Sequence, residues 1–155
     1  MNAAHTGSPA APEAALAADW PLVYSAAGFA HAKEFVFRRW CELARERQAP
    51  PPQDLSGACR YGSMFMREVF GGSIEGHYAH QFNRIGGRLI DLSHDAADVG
   101  RMRTPYLHDA DFFLIPLYQA RLEACRPRLT GWAADFRLET ADRRLISSQN
   151  HPIPS

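Results

Sequence analysis

Two glycine pairs, Gly71-Gly72 and Gly86-Gly87, outline what this chain can become. A glycine pair reaches positive φ without steric cost, so each pair marks a reversal of the backbone. The first follows a run of apolar residues at helical spacing and supplies the left-handed turn that ends a helix. The second stands between two short runs of strand-forming residues, 80–85 and 88–92, and suits the type I′ turn of a two-residue hairpin. That turn fixes a register: Ile85 faces Arg88, Asn83 faces Ile90, and His80 faces Ser93. Side chains alternate along a strand, so His80, Phe82, Arg84, Leu89, Asp91 and Ser93 are expected on one face. His80 and Asp91 become diagonal neighbours, roughly 7 Å apart at the backbone. A helix followed by a hairpin implies an α+β fold.

The chain before the hairpin prepares it. Residues 1–19 are rich in Ala and Pro and hold almost no large apolar side chain, which predicts a disordered tail. Trp20, Leu22, Val23 and Tyr24 mark where packing should begin. Over 26–47, Phe29, Val36, Trp40 and Leu43 recur at amphipathic spacing, widened by Phe35 and Phe37, and predict a helix. Pro50-Pro51-Pro52 cannot continue it and leads into a second helix over 56–70, with Ser56 as the expected N-cap. Residues 73–78 read as a short strand, with a break near Gly76-His77.

After the hairpin, a polar stretch reads as a loop with one helical turn. A last helix is expected over 115–126, with Pro116 in its first turn, Leu117, Tyr118, Leu122 and Cys125 on its buried side, and Pro127 stopping it. The organisation expected is a tail over 1–19, one domain over 20–136 with its small antiparallel sheet packed against all three helices, and a flexible tail over 137–155. No internal repeat occurs.

Bulk properties exclude more than they suggest. The 155 residues carry 17 basic and 17 acidic side chains, which cancel, so electrostatics argue for neither a nucleic-acid nor a membrane-surface partner. No apolar run approaches the length of a membrane span. Cys41, Cys59 and Cys125 are an odd, widely spaced set, and no secretory signal pattern opens the chain, so a reduced, cytoplasmic setting is expected. An exported effector without a cleavable signal fits the same features.

Chemistry concentrates between residues 56 and 93. Cys59 falls where the second helix begins, among unpaired N–H groups and at the positive end of the dipole, which favour the thiolate. Its own N–H is a candidate oxyanion donor. His80 is placed to act as base, and Asp91 to fix the imidazole tautomer and stabilise the imidazolium. The order Cys59, His80, Asp91 resembles a papain-like thiol site, and that resemblance implies an oxyanion-hole role for Gln53, six residues before Cys59. Arg84 shares the His80 face and is a candidate for binding an anionic substrate group, with Arg60, Arg67 and Arg88 nearby. Cys41 and Cys125 read as core residues.

The pattern Gly57-Ala58-Cys59, Phe70-Gly71-Gly72-Ser73-Ile74, His80-Gln81-Phe82-Asn83, Gly87 and Asp91-Leu92 resembles small bacterial proteins of the YunG type. More distantly, the layout is similar to the papain-like superfamily that includes NlpC-type amidases and transglutaminase-like domains. Ala58 stands where the YunG-type pattern usually has Gln. The resemblance implies a papain-like α+β fold with Cys59, His80 and Asp91 at the corresponding places.

The expected function is therefore a cysteine-dependent acyl transfer on a peptide or carboxamide: peptidase, amidase, deamidase or transglutaminase-like. No cofactor is expected. Two other readings compete. One is a non-catalytic binding module in which Cys59 is merely packed. The other is a metal-dependent hydrolase using ligands among His77, His80, Asp91, His94, Asp95, Asp98 and His108, although no HExxH or Cx2C motif occurs.

Overall fold

A computed structural model describes residues 20–150. The tail expected over 1–19 and the last five residues lie outside the described residues. Among the described residues, four α-helices and one 3-10 helix accompany a three-stranded antiparallel sheet. The α+β class follows directly. No helix of the described residues is long and apolar enough to cross a membrane.

Helix α1 (Ala26–Glu46) starts where Ser25 accepts a hydrogen bond from the Gly28 N–H, a side-chain N-cap. It buries His31, Ala32, Phe35, Val36 and Leu43 on one stripe. Its end is closed without glycine: Gln48 takes φ 55°, its N–H bonds the Arg45 carbonyl, and the Ala49 N–H bonds the Ala44 carbonyl. That pair of bonds is a Schellman closure. The proline segment then leads to α2 (Cys59–Phe70).

Helix α2 is the axis of the molecule. Met64, Phe65, Met66, Val69 and Phe70 are all buried, because α4 packs on one side of the helix and strand β2 on the other. Helix α1 packs on α2 and α4 rather than on the sheet, which corrects the expected contact of all three helices with the strands. Phe35, Phe65 and Phe136 meet pairwise with centroids 5.3–5.4 Å apart. Such pairs add roughly 0.5–1.5 kcal/mol each beyond the area they bury.

Strands β1 (Ser73–His77), β2 (His80–Ile85) and β3 (Arg88–Ile90) lie in the order β1-β2-β3. Asn83 pairs with Ile90, Arg84 with Leu89, and Ile85 with Arg88, the register that a Gly86-Gly87 turn dictates. The first hairpin turns at Tyr78-Ala79, with His77 opposite His80, slightly later than the expected break. Gly76 stays within β1, where a Cβ would collide with the His80 carbonyl.

Short α3 (Ala97–Gly100) and the 3-10 helix (Ala110–Leu114) occupy the stretch read as loop. Helix α4 (Pro116–Gln149) is the largest departure from expectation. It does not stop at Pro127, and residues 137–149, expected as a flexible tail, continue it. Pro127 lacks an N–H and costs an interior helix about 3 kcal/mol. It sits on the exposed side, while Leu129, Trp132, Ala133 and Phe136 beyond it are buried. Each large apolar side chain buried contributes roughly 1.5–3 kcal/mol, so together they outweigh the proline. Arg137 bonds the Trp20 and Glu68 carbonyls, and Glu139 bonds His31 and Arg38. Leu117, expected inside, is exposed, whereas Tyr118 and Leu122 are buried.

Candidate active site at the start of the central helix

Cys59 is the first residue of α2, and Ala58 at the N-cap makes no side-chain cap bond. The leading N–H groups of a helix have no intrahelical acceptor, so Cys59 stands among uncapped donors at the positive end of the helix dipole. Ser56, expected as the cap, is engaged elsewhere: its Oγ accepts from the Asp98 N–H. Asp54 accepts from the Ser56 and Ala97 N–H groups, and Asp98 from the Gly57 N–H. This reciprocal clasp ties the turn before Cys59 to α3. It fixes where α2 begins.

The second hairpin delivers the other groups. His80 Nε2–H donates to Asp91 Oδ2 at 2.8 Å, with both side chains buried. Asp91 Oδ1 accepts from the Ser93 N–H at 3.0 Å and its hydroxyl at 3.3 Å, so the carboxylate is held on both oxygens. With Nε2 on Asp91, Nδ1 is the ring nitrogen left free, and Cys59 lies near enough to this ring to help raise its pKa. Burial pulls the His80 pKa down, but the Asp91 and Cys59 hydrogen bonds and charges overcome it and hold it at about 9. The imidazole is therefore protonated at neutral pH, a cation beside the thiol.

Two residues not singled out in the sequence complete the site. Cys59 Sγ donates to Gln81 Oε1 at 3.3 Å, and Gln81 Nε2 donates to the His77 carbonyl at 2.5 Å, which orients the amide. Tyr106 packs at a tilt against His80 and edge-on against Phe82, with centroids 6.2 and 5.4 Å away. Burial, the Asp91 charge and a hydrogen bond to Asp91 push its hydroxyl up to about 12. Strand alternation puts Gln81 on the face opposite His80, so its contact with Cys59 had no signal in the sequence. Tyr106 arrives from the loop 101–109 and had none.

Other expectations are redirected. Gln53 is exposed, and no hydrogen bond joins it to Cys59, His80 or Asp91 among the described residues. Arg84 is engaged by Glu75 across the β1–β2 pair, with two bonds of 2.8 and 3.0 Å, and is not part of this cluster. Asn83 ties β2 to α2 through the Ser63 carbonyl at 2.8 Å, a structural role. Among the described residues no group of three His, Cys, Asp or Glu side chains is placed to hold a metal ion.

A thiol, an imidazolium and a carboxylate in sequence, at an uncapped helix start, can generate a thiolate and return a proton to a leaving group. Compared with protein-family models, with curated proteins and with solved structures, the chain matches none.

Proposed function

We propose that this protein is a cysteine-dependent acyl-transfer enzyme on a papain-like frame, acting on a peptide or carboxamide. What carries the reading is His80: one buried imidazole bonded to Asp91 through Nε2, beside Gln81, which holds the Cys59 thiol at the start of α2. The Cys59 thiolate attacks the carbonyl carbon, forming a C–S bond and an oxyanion. The Cys59 backbone N–H is the candidate donor to that oxyanion. Collapse breaks the C–N bond, and the His80 proton goes to the departing amine. The thioester then passes to water, or to an amine, whose proton His80 takes up, and the thiolate is regenerated. Asp91 keeps the tautomer fixed throughout. All three cysteines are free, which fits a reducing, cytoplasmic setting.

The test is labelling with a thiol-reactive probe near neutral pH. Cys59→Ala is expected to abolish the fast labelling, whereas Cys41→Ala and Cys125→Ala leave it intact. Equal labelling of the three variants would remove the nucleophile from the mechanism.

A further inference from the structure

A cleft of about 310 Å³ opens beside the thiol, and Gln81 belongs to both. Its polar lining is Arg60, Tyr78, Gln81, Tyr118 and Arg121, and Phe112 contributes an apolar wall. Among the described residues no Asp or Glu lines it. Tyr118 is 5% exposed, yet among the described residues its buried hydroxyl has no hydrogen-bond partner, and the buried Nε of Arg60 has none either. Buried polar groups left unpaired are uncommon in folded proteins and call for a partner.

The contrast with other arginines is informative. Arg38, Arg39, Arg84, Arg126, Arg128 and Arg143 each bond a carboxylate of this chain. Arg60 and Arg121 form no such ion pair among the described residues, although both face the same cleft. Two guanidinium groups and an unpaired hydroxyl offer donors with no carboxylate opposite them among the described residues. That is the complement of an anion, and guanidinium geometry matches the two oxygens of a carboxylate.

We propose that this cleft binds a carboxylate of the acyl donor, held by Arg60, Arg121 and the Tyr118 hydroxyl. The proposal rests on Cys59 being the nucleophile. It makes the substrate an anionic peptide or carboxamide, whose charge lies either on an acidic side chain or on a terminal α-carboxylate. The apolar wall receives the aliphatic part.

The test compares alkylation of Cys59 by iodoacetate, an anion, with alkylation by neutral iodoacetamide. Arg60→Gln and Arg121→Gln are each expected to slow the iodoacetate reaction about tenfold, as removal of a focusing charge should. Any loss of thiolate slows both reagents alike, so the tenfold fall is read in the ratio of the iodoacetate rate to the iodoacetamide rate. Protection of Cys59 in the unmodified protein by N-acetylglutamate α-amide identifies a side-chain carboxylate, and protection by N-acetylalanine a terminal one. Tyr118→Phe, which keeps the ring, weakens that protection. A reactive Cys59 whose preference for iodoacetate ignores Arg60 and Arg121, or that neither carboxylate protects, overturns the anion site alone. A Cys59 as slow as Cys41 and Cys125 toward both reagents overturns the enzyme reading as well. Should an arginine variant fail to fold, the protection of the unmodified protein decides.

Discussion

His80 Nε2 and Asp91 Oδ2 lie 2.8 Å apart, eleven residues apart in sequence, in a position from which both side chains are screened from solvent. A group whose folded pKa is raised stabilises the fold fully below its unfolded value. That contribution is lost as pH rises through the folded value. For His80 the window runs from 6.5 to about 9. Unfolding by urea should therefore show stability falling between these values, by on the order of 2 kcal/mol. His80→Gln should flatten that slope. An imidazole NMR titration supplies the direct check: the His80 midpoint should lie well above 6.5 and fall in Asp91→Asn. A midpoint indifferent to Asp91→Asn would mean that the pair is not joined in solution.

Gln81 offers its carbonyl oxygen to the Cys59 sulfur at 3.3 Å. Replacing that amide by a carboxylate puts a negative charge beside the atom that must become a thiolate. Gln81→Glu should slow Cys59 alkylation near neutral pH about tenfold, because the charge disfavours the thiolate. Gln81→Met, which removes the acceptor without adding charge, should have the smaller effect. Identical rates in the two variants would show that the contact does not govern the thiol.

Pro127 occupies an exposed interior position of α4. Alanine there restores a backbone donor and relieves the ring's clash with the preceding turn. Pro127→Ala should stabilise the protein by about 1–3 kcal/mol in chemical denaturation. A loss of stability instead would indicate that the helix does not continue unbroken through this position.

The parts of the fold legible in sequence were those set by local rules. Gly86-Gly87 dictated a turn type, the turn dictated a register, and the register brought His80 to Asp91. The stripe on α1 was legible for the same reason, since Phe35, Val36 and Leu43 follow a period that tertiary packing only reinforces. The misreadings came where distant partners override a local signal. Pro127 signals a stop, but Trp132 and Phe136 find the aromatic cluster of α1 and α2 and hold the helix together past it. Ser56 signals a cap, but Asp98 recruits its hydroxyl from forty-two residues away. Arg84 carries a charge that any anion could use, and Glu75 on the neighbouring strand uses it first. Gln53 resembled an oxyanion residue through its offset from Cys59, whereas the amide that reaches the sulfur comes from the strand. Tyr106 belongs to a loop, and loop side chains carry no periodicity from which to place them.

The 34-residue length of α4 makes the molecule intolerant in a particular direction. Tyr118 at its head borders the cleft, and Phe136 and Glu139 farther along grip α1. A single amino acid inserted on its solvent side between Leu122 and Leu129 would rotate all that follows by about 100°. Trp132 and Phe136 would swing outward and the grip on α1 would open, whereas the same insertion in the 101–109 loop leaves every helix face in register. Lineages carrying this fold should accordingly vary in length around that loop and hardly at all along the rod.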